Sequence, residues 1–367
     1  MVSSDNIDNV EPAGLFYGFQ FPHHGAYTGF AALGREFPSL GVRVCRVGFP
    51  HSPNWWPGRV RIGVQHGWFR LQEQRLRAPL RAGVPVHYFF PENSLFSAAK
   101  WKRKGPLILS CHQPAAQLRT SPYLANRGGF FEGLRAADVI ILMASNDLEA
   151  YRALAPSARV ICIPHGVATN HFTPAPEPRS EDSRPVFKIL TTGNWMRDYD
   201  LWTRVAQRLT RDYDLIEFTV VAQEAVLAGL AQALGDRDGR VRLLCAITDE
   251  QLLSEYRRAD VAFLPLLDTW ANNALLESMA CGKPAVVTDL PAAREYAGEA
   301  ALYVPHGDEE AACATLLSLR DNREKCNMYA HRARERMVTG FAWRDIARYH
   351  VDLYREMGVV CREREIA

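Results

Sequence analysis

Between Val261 and Thr288 the sequence changes its hydrophobic period twice within one short stretch. An apolar run, Val261–Leu267, is followed by a polar loop, Asp268–Asn273, and by an apolar helical pattern, Ala274–Ala280, that stops at Gly282. A second apolar run, Pro284–Val287, ends at Asp289. Strand, loop, helix, glycine stop and strand in this order specify a parallel β-α-β unit, because two adjacent parallel strands need a crossover and a helix is the compact one. Ligands of such units bind at the loops that follow the strands' carboxyl ends. Here that loop carries Asn272 and Asn273, and Glu277 interrupts an otherwise core-facing pattern. Helix-start N–H groups suit a phosphate and a carboxylate suits a ribose diol, so the stretch fits a nucleotide diphosphate.

The same alternation fills the chain. Apolar runs at Gly14–Phe21, Val42–Phe49, Leu107–Cys111, Val139–Met143 and Val160–Pro164 precede a Pro-rich stretch from Thr173 to Pro178. After it come Phe187–Thr191, Glu217–Val221, Val241–Cys245, Val261–Leu264, Ala285–Thr288 and Ala301–Val304, with helical patterns between them. The expected fold class is α/β, with two Rossmann-like doubly wound halves. The 367 residues suffice for two such domains. A net charge of +2 argues against a dedicated nucleic-acid binder. The eight cysteines show no C-x-x-C or zinc spacing, several lie in apolar runs, and they read as reduced buried thiols. The polar leader Met1–Pro12 is not a signal peptide, and no apolar run approaches the roughly 18 residues of a spanning helix. The protein is expected to be cytoplasmic, or peripheral at a membrane.

Further groups stand at strand ends. Gly193-Asn194-Trp195-Met196-Arg197-Asp198 closes the first strand of the second half, where a phosphate-facing loop belongs. Arg197 is its one cation, and a guanidinium matches diphosphate oxygens; surface pairing with Asp198 or Asp200 is the competing reading. Absence of GxGxxG removes the signal for a nicotinamide cofactor. Pro22-His23-His24-Gly25 follows the first strand of the first half, and Gly25 lets a ligand approach the backbone. Cys111-His112-Gln113-Pro114 follows another strand, and His112 would face a cleft if both sheets pointed their carboxyl ends at each other. From Arg59 to Lys104, ten Arg or Lys face only Glu73 and Glu92, which suits a solvated face, an anionic acceptor or an anionic membrane surface.

Taken in order, these pieces resemble the family 4 (group 1) retaining glycosyltransferases of the GT-B fold, two Rossmann-like domains facing across a cleft. The likeness is carried by Asn272–Asp308, by Ile163-Pro164-His165-Gly166-Val167 with Asn170-His171-Phe172-Thr173-Pro174, which resembles the family's junction between domains, and by Phe341-Ala342-Trp343 with its long helix. It covers the second half well and the first half in outline. The resemblance implies an acceptor-side domain over 1–172, a linker over 173–186, a nucleotide-sugar-binding domain over 187–340, and a helix over 341–367 that returns to the first domain. It implies transfer of a sugar from a nucleotide-diphosphate sugar to a hydroxyl acceptor with retention, without metal or cofactor, by front-face attack. Glu277 matches the second Glu of the family's E-x7-E motif, which holds the donor ribose. The turn Asn272, Asn273, Ala274 and Leu275 matches the one whose N–H groups meet the sugar hydroxyls and distal phosphate. His112 matches the His beside the reacting carbon, and Gly25 the glycine loop near phosphate and acceptor. Arg197 and His112 are thus the catalytic candidates, and Asn194, Asp268 and Thr269 join the donor-binding set.

Three positions depart from the family. Thr269 stands at the first Glu of E-x7-E, flanked by Asp268 and Trp270; Asn194 stands where Arg is expected, which leaves Arg197 as the loop's cation; the junction Asp is Ala168. These departures keep a non-catalytic nucleotide-sugar-binding subunit among the alternatives, beside a GT-B epimerase or phosphorylase, for which Lys188 and Lys283 offer no convincing cofactor context.

Overall fold

The structure is a computed structural model that describes residues 15–18, 26–42, 44–46, 58–120, 128–176, 186–235 and 239–357. The leader Met1–Pro12, the loop Pro22–Gly25, most of the turn Asn54–Gly58 and the linker from 177 to 185 lie outside them.

Two compact units emerge from the chain's own contacts: one comprises 1–24, 30–164 and 344–367, the other 25–29 and 165–343. In unit 1, β1 (Leu15–Gly18), α1 (Phe30–Glu36) and β2 (Val44–Arg46) are followed by α2 (Gly58–Glu73), α3 (Arg77–Ala82), β3 (Val86–Phe89) and α4 (Pro91–Ser94). Then come β4 (Leu107–Cys111), α5 (Ala115–Thr120), α6 (Gly128–Ala136), β5 (Val139–Leu142), α7 (Leu148–Leu154) and β6 (Arg159–Cys162). Their sheet is parallel, in the order β2-β1-β3-β4-β5-β6. The sequence leaves 59–104 without regular elements. Its helices escape notice because α2 carries apolar residues on two faces: Phe69 is buried while Val60, Val64 and Leu71 are exposed, which blurs the helical period. Ser145–Asp147 form a 3-10 turn, and Asp147 precedes α7 without a side-chain capping bond.

Unit 2 contains β7 (Phe187–Thr192), α8 (Tyr199–Asp212), β8 (Ile216–Val221), α9 (Glu224–Leu234), β9 (Val241–Leu244) and α10 (Asp249–Arg258). It continues with β10 (Val261–Leu264), α11 (Asn273–Ala280), β11 (Ala285–Thr288), α12 (Pro291–Ala297), β12 (Leu302–Val304), α13 (Glu309–Asp321) and α14 (Arg323–Gly340). The parallel order is β12-β11-β10-β7-β8-β9. The central strands β10 and β11 are short and buried on both faces, as a sheet covered by helices on both sides requires. Trp202 of α8 is fully buried against Phe218 at 5.6 Å and donates its indole N–H to Thr191 Oγ1 at 2.9 Å, so the largest core side chain leaves no polar atom unpaired.

Both sheets have a switch point, where successive crossovers leave in opposite directions: between β1 and β3 in unit 1 and between β7 and β10 in unit 2. The last helix, α15 (Trp343–Glu356), is almost wholly part of unit 1. There Tyr354 hydrogen-bonds His87 of β3 at 2.6 Å.

Candidate active site at the switch point of unit 2

The loops that leave β7 and β10 are stitched together. Asp198 N–H donates to Pro265 O at 2.9 Å, Leu267 N–H donates to Met196 O at 3.0 Å, and Arg197 and Leu266 form an isolated antiparallel bridge. Met196 adopts φ 54°, a left-handed conformation that costs a non-glycine residue on the order of 1 kcal/mol. Gly193, at φ 101°, is required here: a Cβ on it would come within 2.7 Å of the Arg197 guanidinium.

Arg197 therefore lies folded back over its own loop. Its Nε donates to Thr192 O at 3.0 Å, Nη1 to Trp195 O at 3.0 Å and Nη2 to Asn272 Oδ1 at 3.2 Å. Neither Asp198 nor Asp200 pairs with it. Asp198 instead caps α8, accepting the Leu201 N–H at 2.8 Å. Burial holds the Arg197 pKa below the ordinary arginine value. A half-buried guanidinium bonded to neutral oxygens alone retains its full charge for an incoming anion.

Asn272 is the N-cap of α11. Its Oδ1 accepts the Leu275 N–H at 3.2 Å as well as the Arg197 bond. The N–H groups of Asn273 and Ala274 are first-turn donors with no acceptor in the helix itself. The positive end of the α11 dipole and Arg197 thus meet at one side chain. Residues 274–280 of α11 are all buried, so the helix is fixed in a core rather than laid on a surface.

Glu277, one turn into α11, is 5% exposed. Its Oε2 accepts from Tyr256 of α10 at 2.9 Å, and its Oε1 accepts from Thr28 at 3.1 Å. Burial pushes its pKa up to about 7, against the lowering effect of those two hydroxyls. Tyr256 in turn meets Thr192 Oγ1 at 3.0 Å, which ties the carboxylate to the end of β7. The short segment holding Thr28 belongs to unit 2: Ala26 N–H donates to Asp249 Oδ2 at 2.8 Å, and Tyr27 stacks on His171 at 3.5 Å. Tyr256, Thr192 and Thr28 give no sequence signal, since each reaches Glu277 or its partner from a distant part of the chain.

The other residues expected from sequence fall less centrally. Asn194 Oδ1 accepts the Gln223 N–H at the end of β8, so its side chain serves the neighbouring loop. Asp268 is half-buried and accepts the Thr269 N–H at 2.8 Å; Thr269 is buried beside Trp270. Gly25 lies outside the described residues. His112 belongs to unit 1, at the end of β4. There its ring stacks on Phe90 at 3.7 Å and meets the edge of Phe30 at 4.8 Å. Its N–H and that of Gln113 donate to Glu92 Oε1, and its Nδ1 lies 3.8 Å from Glu92 Oε2. Glu92 is 1% exposed and follows Phe90, whose φ is 59°. Its place under His112 was not legible from sequence. Among the described residues no group of three or more His, Cys, Asp or Glu is placed to hold a metal ion.

Residues 187–322 match the family model described as Glycosyl transferases group 1. Over this segment, which is less than half of the chain, it is similar to the group 1 glycosyltransferases. The matched residues contain Arg197, Asn272 and Glu277. Among curated proteins the chain is similar to the MMP alpha-(1->4)-mannosyltransferase of Mycolicibacterium hassiacum, 28% identical over 152 residues. That alignment spans 41% of this chain and 37% of the relative's length. Among solved structures it is similar to sucrose-phosphate synthase from Thermosynechococcus elongatus, with TM-score 0.71 at 18% identity over 94% of this chain and 98% of the other. It is also similar to an E. coli trehalose-6-phosphate protein solved with UDP-2-fluoro glucose, with TM-score 0.72 at 13% identity over 95% and 99% of the two chains. The expected fold class holds: α/β, with two Rossmann-like units of the GT-B type.

Proposed function

We propose that this chain is a group 1 glycosyltransferase that transfers a sugar from a nucleotide-diphosphate sugar to a hydroxyl acceptor, with retention at the anomeric carbon and without a metal ion. The observation that carries the reading is the junction of Arg197 with the Asn272 cap of α11 at the unit 2 switch point. As the glycosidic C–O bond breaks, negative charge grows on the leaving diphosphate. Arg197 and the first-turn N–H groups of α11 stabilise that charge more than the ground state, and so lower the barrier. Glu277 is the ribose-binding carboxylate in this reading, with Tyr256 and Thr28 orienting its two oxygens. Unit 2 offers no enzyme nucleophile in this set, which favours front-face attack by the acceptor hydroxyl over double displacement. His112 is the residue that the family resemblance gives to the transfer step, and Gly25 is given to the phosphate-side loop. Thr269, flanked by Asp268, stands where the family's sugar-reading carboxylate would be, so this loop selects the donor sugar by other contacts.

The alternative is a nucleotide-sugar-binding subunit without turnover, favoured by Thr269 and by Asn194, whose side chain is spent on Gln223. A thermal-shift panel of UDP, GDP, ADP and CMP finds the nucleotide. Turnover assays with its mannose and glucose derivatives, the two sugars that the similar proteins' names carry, then separate the readings. Stabilisation with release of nucleotide to an acceptor supports the transferase; stabilisation without release supports the binding subunit; no stabilisation by any nucleotide refutes both.

A further inference from the structure

The transferase reading leaves one surface of unit 1 unused. Helix α2 buries one face through Phe69, Gln72 and Glu73, and carries Val60, Val64, Trp68 and Leu71 on the opposite face. These four recur at helical spacing and are 50%, 41%, 37% and 62% exposed. A continuous exposed stripe of valine, tryptophan and leucine differs from the scattered apolar residues normal on a surface.

The exposed charge of the segment from α2 to Lys104 is of one sign. Arg70, Arg75, Arg77, Arg81, Lys102 and Lys104 are exposed, and Lys100 is exposed and paired with Glu132 at 3.4 Å. The two acids of the segment are spent inside. Glu73 accepts the N–H groups of Phe96, Ser97 and Ala98 and the Tyr88 hydroxyl. Glu92 accepts those of His112 and Gln113. The bonds of Glu73 also fix the start of the lysine-bearing loop to the end of α2, while Lys104 and Gly105 N–H donate to Leu80 O of α3. Glu73 thus ties the loop that leads to Lys100 to the end of α2, and its own charge is buried there.

We infer that α2 lies in the plane of an anionic lipid bilayer, with Val60, Val64, Trp68 and Leu71 inserted at the headgroup boundary and the surrounding arginines and lysines on the lipid phosphates. A polar nucleic acid would take the cations but has no use for the apolar stripe; an interfacial helix uses both. A tryptophan within the stripe suits the interface, where an indole keeps its N–H in the wet layer. Among the described residues no helix is long and apolar enough to cross a membrane, so any attachment by these elements is peripheral. The inference rests on unit 1 alone and does not depend on the donor reading of unit 2.

The test is co-sedimentation of the full chain with vesicles of phosphatidylcholine, with and without a quarter of phosphatidylglycerol, at low and high salt. Vesicles containing phosphatidylglycerol are expected to bind the protein and pure phosphatidylcholine to bind it at least tenfold less. The double substitution Val64→Ser, Leu71→Ser and the double substitution Arg70→Gln, Arg75→Gln are each expected to weaken binding by about tenfold or more. Unchanged thermal unfolding of the variants excludes misfolding. Failure to bind phosphatidylglycerol vesicles overturns the inference. So does binding that the Val64/Leu71 variant retains, which marks a plain polyanion surface, and so does a concentration-dependent dimer through α2 that excludes vesicles.

Discussion

The two units share a six-stranded parallel sheet and a switch point beside the first strand, yet they bury opposite kinds of polar group. Unit 1 buries groups that fasten backbone or stay neutral. Both oxygens of Glu73 and Oε1 of Glu92 accept backbone N–H groups, and His87 sits between Tyr354 at 2.6 Å and Ser110 at 2.8 Å. Burial drives the pKa of His87 well down and that of His350 to about 3. Unit 2 keeps charge where it is costly. Arg197 is bonded to neutral oxygens, and Glu277 is raised to about 7 by burial with only two hydroxyls to support it. Fastening groups belong to a scaffold. Strained, desolvated charges at a switch point belong to a binding site.

The largest expected effect breaks the unit 2 side directly. Arg197→Ala is expected to weaken binding of the stabilising nucleotide by 10- to 100-fold, roughly 1.5–3 kcal/mol, as loss of a charge-assisted bond implies. Calorimetric titration reads it. Asn272→Ala removes both the cap and the Arg197 anchor; it is expected to cost about 1 kcal/mol of stability and to weaken the nucleotide further than that stability loss explains.

The contrast also predicts opposite pH slopes. Glu277 holds its proton up to about 7 in the fold, against an ordinary 4.5. The folded state then binds more protons than the unfolded chain, so this contribution falls as pH rises from about 4.5 to about 7. His350 is held at about 3 against 6.5. Its contribution is present above pH 6.5 and is lost as pH falls toward 3. Denaturant titrations from pH 4.5 to 8 are expected to lose the first slope in Glu277→Gln and the second in His350→Leu. The smallest effect is that of Thr28→Val, which takes one donor from Glu277. It is expected to shift nucleotide affinity by only a few-fold and to raise the Glu277 pKa further.

Much of this contrast was open to sequence reading on the unit 2 side. The β-α-β period around 261–288 is regular because its strands are covered on both faces, and Glu277 stands out on an apolar helix. Arg197 is legible as the only cation of its loop, but its partner Asn272 lies 75 residues away. Tyr256 and Thr28 reach Glu277 across 21 and 249 residues. No local pattern encodes such pairings. In unit 1 the elements between 59 and 104 were hidden by the second, exposed apolar stripe of α2. There Glu73 and Glu92 look in sequence like surface acids among basic residues, because burial is set by the helices folded around them.

The central claim is that Arg197, the α11 start and Glu277 bind a nucleotide diphosphate. The most direct measurement is the affinity of the stabilising nucleotide for wild type, for Arg197→Ala and Glu277→Ala, and for His350→Leu as a unit 1 control. The account predicts at least tenfold weaker binding for both unit 2 variants and unchanged binding for the control. Affinity unchanged in Arg197→Ala and Glu277→Ala would contradict it.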